Sequence, residues 1–295
     1  MIRSTLIWIL SVGFLLTILP SCTPAAGSAA APQGLLNDST RIVSLDGALT
    51  EILFACGIGK QIVGVDVTSN YPSATADITK VGHNRNIQAE GVLSLNPDLI
   101  IGKAGSLKPE LLEQLTQAGA EILLLEHTPS LEGTRQLITA LCDTLDKPEV
   151  GTSLIAAIDA QLEKIQKPEP TPKAVFIYAR GAGTLLVAGE GTQMESMFGL
   201  AGAENAVSGF EDFKPLTPEA LLAADPEVVV MFESGLTSLE GESGLWEIPG
   251  LSETTAGKNK AYLTYDGQFL AGFGPRLGDA ALALNQGLLS VVSDE

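Results

Sequence analysis

One stretch of this chain occurs twice. Residues 88–101 read QAEGVLSLNPDLII and residues 217–230 read TPEALLAADPEVVV, at an offset of 129 (217 − 88). Glu90 falls on Glu219, Leu93 on Leu222, Pro97 on Pro226 and Asp98 on Glu227. Leu99-Ile100-Ile101 falls on Val228-Val229-Val230. Each copy has the pattern of a short helix, a proline-bearing turn and a buried apolar strand. One such unit in each half of the chain predicts two similar α/β lobes, and a cleft between lobes is a common place to hold a small molecule. A fainter echo, TEILFACGIG (50–59) beside MESMFGLAGA (194–203), points the same way.

The rest of the pattern fits. Strand-like runs at 42–45, 62–65, 98–102 and 121–126 alternate with helix-like runs at 48–56, 89–95, 109–118 and 131–146, with a polar loop from Thr68 to Gln88. Such alternation predicts a mainly parallel sheet covered on both faces. From Pro148, residues Leu154, Ile155, Ile158, Leu162 and Ile165 form one helical stripe, ended by Pro168, Pro170 and Pro172. This helix lies between the two repeats and reads as a stiff connector. Beyond it, strands are expected at 174–180, 185–189, 228–232 and 261–265, with helices at 191–200, 217–224 and 275–289. The glycine-rich GAGTLL (181–186) reads as a hairpin turn, and 234–257 as a loop-rich region with a short helix around Leu251. The expected class is α/β: two similar lobes with mainly parallel sheets, joined by one long rigid helix. The expected boundaries are 41–147 for the first lobe, 148–167 for the connector and 172–291 for the second lobe.

The front of the chain gives an address. Arg3 precedes an apolar run from Leu6 to Leu19, the layout of a secretory signal over 1–21. The run is shorter than the ~20 apolar residues that a spanning helix needs. It ends in Leu19-Pro20-Ser21-Cys22, which resembles a bacterial lipobox. Cys22 would then be the lipidated N-terminus, holding an exported, periplasmic or cell-surface body to a membrane. Residues 23–40, rich in Ala, Pro, Gly and Ser, read as a flexible tether. Two cysteines remain, Cys56 and Cys142, both among apolar residues on expected helices. Two readings stand: buried free thiols, or a disulfide in an oxidising compartment.

A net charge of −18 argues against nucleic acid, whose phosphates need clustered Lys and Arg. It also makes the few cations worth locating. The chain has two histidines. His83 sits in VGHNRN, just before the first repeat helix, with Arg85 two residues on. His127 follows strand 121–126 at its carboxyl end, where parallel sheets gather ligands. An imidazole beside a guanidinium can serve a metal and an anion together. No carboxylate–histidine motif, G-x-S-x-G or H-E-x-x-H suggests catalysis. Glu90 and Glu219 occupy equivalent first turns, which the helix dipole alone would favour. As a pair, one per lobe, they also suit two cationic pockets on a pseudo-symmetric partner.

At these residues the chain resembles the substrate-binding proteins of ABC importers, and most of all the subgroup that carries heme. The matching stretches include RIVSLDGALTEILFACG (41–57), IVGVDVTSNYP (62–72), KVGHNRNIQAEGVLSLNPDLII (80–101), LVAGEGT (186–192), KPLTPEALLAADPEVVV (214–230) and FGPRLGDA (273–280). Cobalamin- and siderophore-binding proteins share the scaffold. The resemblance implies heme in the interlobe cleft and no enzymatic activity. It also implies docking of Glu90 and Glu219 on arginines of a permease dimer with separate ATPase subunits. The loop holding His83 would supply the axial ligand. Heme members commonly carry tyrosine at this position, followed two residues later by arginine; here Arg85 is kept and histidine, itself a common heme ligand, replaces the tyrosine. Arg85 would meet a propionate or stabilise the ligand. Tyr71, Lys103, Tyr178, Arg180 and Tyr265 are candidates to line the cleft. Met194 and His127 are weaker candidates for iron, and Trp246 and Phe269 for stacking. The protein is expected to be a monomer. The rival classes are a ligand sensor and a metal-dependent enzyme.

Overall fold

A computed structural model describes residues 36–83 and 86–292. The first lobe contains β1 (Ile42–Ser44), α1 (Gly47–Ala55), β2 (Ile62–Val65), β3 (Thr79–Lys80), α2 (Ala89–Leu93), β4 (Leu99–Lys103), α3 (Pro109–Gln117), β5 (Glu121–Leu125) and α4 (Leu131–Thr144). Its five strands run in the order β3-β2-β1-β4-β5, all parallel. The central strands β1 and β4 are buried on both faces, which explains why they read as unbroken apolar runs. The loop expected at 68–88 also contains a short 3-10 helix at Ser73–Asp77 and the strand β3.

α5 (Pro148–Leu162) connects to the second lobe. That lobe holds β6 (Lys173–Ala179), β7 (Leu185–Ala188), α6 (Gln193–Ala201), β8 (Glu204–Asn205), β9 (Phe213–Pro215), α7 (Pro218–Ala224), β10 (Val228–Phe232), α8 (Glu233–Ser238), α9 (Glu242–Trp246), α10 (Thr255–Asn259), β11 (Tyr262–Tyr265), α11 (Gly267–Ala271) and α12 (Leu277–Val292). Its sheet runs β11-β10-β6-β7-β9, with β8 beside β6.

One expectation holds and one needs correction. The second sheet pairs β11, β10, β6 and β8 in parallel, and the hairpin expected at 181–186 returns β7 antiparallel to β6, with β9 antiparallel to β7. The chain reverses within the turn at Gly181–Thr184, where Arg180 N–H donates to Thr184 O at 3.0 Å and Gly181 takes φ +65°. A turn this short returns an antiparallel strand, whereas a parallel one needs a long crossover. The region 234–257 is largely helical. Its helices span five or six residues, too short to show an amphipathic period, and depend on tertiary packing.

The repeat is realised in detail. α2 and α7 each lead into a left-handed residue, Asn96 (φ 46°) and Asp225 (φ 40°), which are equivalent at the same offset. A proline follows each, and then the paired carboxylates act alike. Asp98 Oδ2 accepts from Arg41 N at 2.8 Å and Glu227 Oε2 accepts from Lys173 N at 2.6 Å. In return Asp98 N–H donates to Arg41 O (2.9 Å) and Glu227 N–H to Lys173 O (2.8 Å). Each carboxylate thus clasps the chain where the central strand of its sheet begins.

The connector does not hold the lobes together alone. One apolar cluster joins the inner faces of both sheets (Ile42, Leu99 and Ile101; Phe176, Val228 and Val230) through buried residues of α1, α4, α5, α6 and α12. Ile158 of α5 is buried in it, and Leu154, Ile155, Leu162 and Ile165 pack against it. α12 lies so close to α5 that a Cβ on Gly278 would meet Ile158 O at 2.5 Å. The buried Asn285 of α12 donates to Gln166 O (2.6 Å) and Ala201 O (2.9 Å), tying the connector's end to α6. The outer faces of the two sheets have separate cores.

Asp98→Ala and Glu227→Ala are each expected to cost about 1 kcal/mol, the scale of one lost hydrogen bond at a partly solvated site. The two sites are far apart, so urea unfolding of the double variant should show additive losses.

Candidate functional site

The carboxyl ends of β1, β2, β4 and β5 place Asp46, the segment 66–71, Lys103 and His127 at one edge of the first lobe, the expected ligand side of a parallel sheet. Asp46 caps α1, accepting from Ala48 N (2.9 Å) and Leu49 N (3.1 Å). Burial pushes its carboxyl above the ordinary value, with His127 and Lys103 opposing. Asp66 is fully buried, yet satisfied by Thr68 and Ser69; Ser69 meets Thr50, which in turn donates to Ser44. The polar groups under this edge therefore form a closed structural network.

Against this edge lies the segment 266–276 of the second lobe. Asn70 Nδ2 donates to Asp266 Oδ2 at 2.8 Å. Arg276 grips Glu51 in bidentate fashion, Nη2 to Oε1 at 2.7 Å and Nε to Oε2 at 3.0 Å. Burial pushes the Glu51 carboxyl up, and Arg276 pulls it back. The same guanidinium lies 4.0 Å from the ring centroid of Tyr71 and 5.2 Å from that of Phe269. His127 Nε2 lies 3.1 Å from Phe273 O, which also accepts from Thr134 Oγ1 at 2.9 Å. A carbonyl only accepts, so Nε2 carries the proton, and Nδ1 is buried with no hydrogen-bond partner among the described residues. Phe273 itself takes φ +48°, an uncommon conformation for a bulky residue, and its carbonyl is held by two donors from the opposite lobe.

His83 is half-buried on the loop after β3. That loop is fastened to the neighbouring segment: Val67 N–H donates to Gly82 O (3.0 Å) and Lys80 Nζ to Ser69 O (2.6 Å). His83 O accepts from Asn86 N at 2.7 Å. Among the described residues, three large apolar side chains stand exposed, and two of them, Val67 (47%) and Tyr71 (46%), belong to this neighbouring segment. Exposed apolar groups clustered at a crevice mark a place where something binds. Arg85 and Cys22 lie outside the described residues.

The other candidates separate. Lys103 ends β4 and is half-buried; Tyr178 and Arg180 stand at the carboxyl end of β6, with Tyr178 half-buried and edge-on to Phe232 (6.4 Å between ring centroids) and Arg180 exposed. Tyr265 is turned into the fold instead, its hydroxyl donating to Ala283 O at 3.0 Å and pushed up to about 12 by burial. Met194 is fully buried in the shared core, a packing residue rather than one that lines a cleft. Trp246 packs against the outer core of the second lobe beside Tyr262, away from the interlobe edge. His127, a weaker candidate for iron, is half-buried and turned to the backbone of the second lobe. Sequence reasoning missed Arg276 as a site residue, although FGPRLGDA carries it. Its partner Glu51 lies in α1, and nothing local to either residue signals the pair.

Burial lowers the affinity of His127 for a proton below the ordinary value of 6.5. As pH falls below 6.5, the unfolded chain takes up a proton that the folded imidazole refuses, so stability falls with pH. The loss is up to about 1.4 kcal/mol per pH unit over that window. Urea midpoints measured between pH 7 and 5 should fall for the native chain relative to His127→Gln. The difference curve separates this slope from Asp46 and Glu51, whose raised values act with the opposite sign at lower pH.

Over residues 42–268 the chain matches the family described as periplasmic binding protein. Its fold superimposes on the periplasmic heme-binding protein RhuT from Roseiflexus sp. RS-1 in apo form, with a TM-score of 0.81 and 38% identity, covering 86% of this chain and 99% of that one. A vitamin B12-binding protein of Vibrio campbellii is 31% identical, covering 72% of this chain and 78% of the relative. The ABC transporter substrate-binding lipoprotein YvrC of Bacillus subtilis, itself uncharacterised, is 27% identical, covering 80% and 76%. With two α/β lobes meeting at the carboxyl ends of their strands and a family match over most of its length, this chain belongs to the periplasmic binding protein family, an exported class of substrate-binding transport proteins.

Proposed function

We propose that this protein is the substrate-binding component of an ABC importer, that it captures heme between its lobes, and that His83 is the iron ligand. The observation that carries the reading is the near-complete match to a heme-binding protein, together with an imidazole on a pinned loop beside exposed Tyr71 and Val67. An imidazole nitrogen can bind ferric iron directly. Tyr71, one ring face against Arg276 and 46% exposed, offers a flat apolar surface to a macrocycle. Lys103, Arg180 and Arg85 supply cations for carboxylate substituents, in a chain otherwise strongly acidic. In this reading the lobes span 41–147 and 172–291 around a connector at 148–167. Residues 1–21 act as the export signal, and the lipid on Cys22 keeps the monomeric protein at the membrane.

Delivery uses the repeat. Glu90 and Glu219 are both exposed in the first turns of α2 and α7. Leu222, one turn on from Glu219, is 49% exposed and adds an apolar contact to the same face. A permease dimer with its ATPase subunits would receive one carboxylate in each half. The same scaffold serves a second reading, cobalamin, which the 31% identity to a vitamin B12-binding protein supports.

Hemin titration of the chain beside His83→Ala separates these readings. A saturable Soret band that shifts in the variant, with affinity reduced at least about tenfold, is expected for loss of an axial ligand worth ~1.4 kcal/mol or more. Saturable cobalamin binding with no specific hemin spectrum would replace heme by cobalamin. Glu90→Ala and Glu219→Ala should leave hemin binding unchanged while weakening docking to permease-containing vesicles by about tenfold or more each.

A further inference from the structure

The sulfurs of Cys56 and Cys142 lie 3.6 Å apart, 86 residues apart in sequence. Cys56 caps the end of α1 and Cys142 lies in the last turns of α4. Both are buried in the shared core. α5 closes over them: a Cβ on Gly151 would stand 3.1 Å from Cys142 Cβ. Export places the chain where disulfides persist. A disulfide bond is about 2.05 Å long, so small rotations of two side chains already in contact bring the sulfurs into bonding range.

We propose that Cys56 and Cys142 are joined by a disulfide in the exported protein, and that this bond staples α1 to α4. The oxidant is a protein dithiol–disulfide exchange partner in the export compartment. The bond forms while the chain folds, because the finished core excludes a second protein. Cys56 thiolate attacks the partner's disulfide, giving a mixed disulfide and releasing one partner sulfur as a thiolate. Cys142 thiolate then attacks Cys56 Sγ and displaces the second partner sulfur. One disulfide forms, one is reduced, and the two cysteine protons end on the partner's dithiol.

The position of the staple gives it a use. The same two helices also hold the second lobe: α1 from its middle through Glu51 on Arg276, α4 from its first turn through Thr134 on Phe273 O. A covalent tie between α1 and α4 keeps these two grips in register. The inference needs export and does not depend on which ligand the cleft takes.

The test uses the full chain recovered from the exported fraction of cells. It is denatured in excess iodoacetamide without reductant, digested and mapped by mass. Expected is a Cys56 peptide joined to the Cys142 peptide, lighter than the two separate peptides by two hydrogen atoms, with neither cysteine alkylated until reductant is added. Reduction should lower the thermal midpoint by on the order of 5–10 °C, as expected for a long closed loop. The Cys56→Ala/Cys142→Ala chain should show no response to reductant. Alkylation of both cysteines without reductant, or either one joined to another thiol, would overturn the proposal. A native midpoint indifferent to reductant would overturn the stapling role.

Discussion

Both lobes bury the inner faces of their sheets against one apolar layer, and the crevice depends on that burial. Each fully buried Leu or Ile in the layer is worth about 1.5–3 kcal/mol relative to exposure. The layer joins α1 and α4 of the first lobe to α6 and α12 of the second, with α5 between them. Separating the lobes would expose it, so their relative placement is a property of the core. Polar contacts then select one register. The Glu51–Arg276 pair is largely buried, with side-chain exposures of 4% and 19%. A buried ion pair brings little net stability, but a misplaced partner would leave a buried charge unpaired. Its contribution here is to make one arrangement of the lobes far better than its neighbours.

The internal repeat explains how one architecture serves two surfaces. Asp98 and Glu227 are occupied with backbone and hold the start of each central strand. Glu90 and Glu219 on the adjacent helices have no such structural duty, and they remain exposed in equivalent places. The same offset therefore carries a structural pair and a surface pair. Beyond the repeated unit the lobes diverge, since the second sheet reverses direction at Gly181 and takes on β7 and β9.

The sequence put forward candidates for the site by position. His83 stood out because histidine is scarce and its loop precedes the first repeat helix. Tyr71, Lys103, Tyr178 and Arg180 were put forward because they follow or end strands. The same rule put forward Tyr265, whose hydroxyl turns into the fold to reach Ala283 on α12. Position along a strand says where a backbone ends and not which way a side chain turns. Met194 begins a helix after a strand, as a ligand could, yet it faces the core. Arg276 and His127 were illegible in their roles, because each is defined by an atom in the other lobe.

From sequence alone came the two-lobe α/β plan, most of the elements and the pairing of Glu90 with Glu219. These follow from local periodicity and from a repeat that any reader of the chain can align. Tertiary structure decided the pairing of β9 with β7, the shared helical core, the Arg276 clamp on Glu51 against Tyr71, the half-buried placement of His127 and the contact between Cys56 and Cys142. Each of these depends on residues far apart in the chain and on backbone approaches of a few ångströms. Hydrophobic pattern carries information about which face is buried, but not about which distant side chain lies opposite.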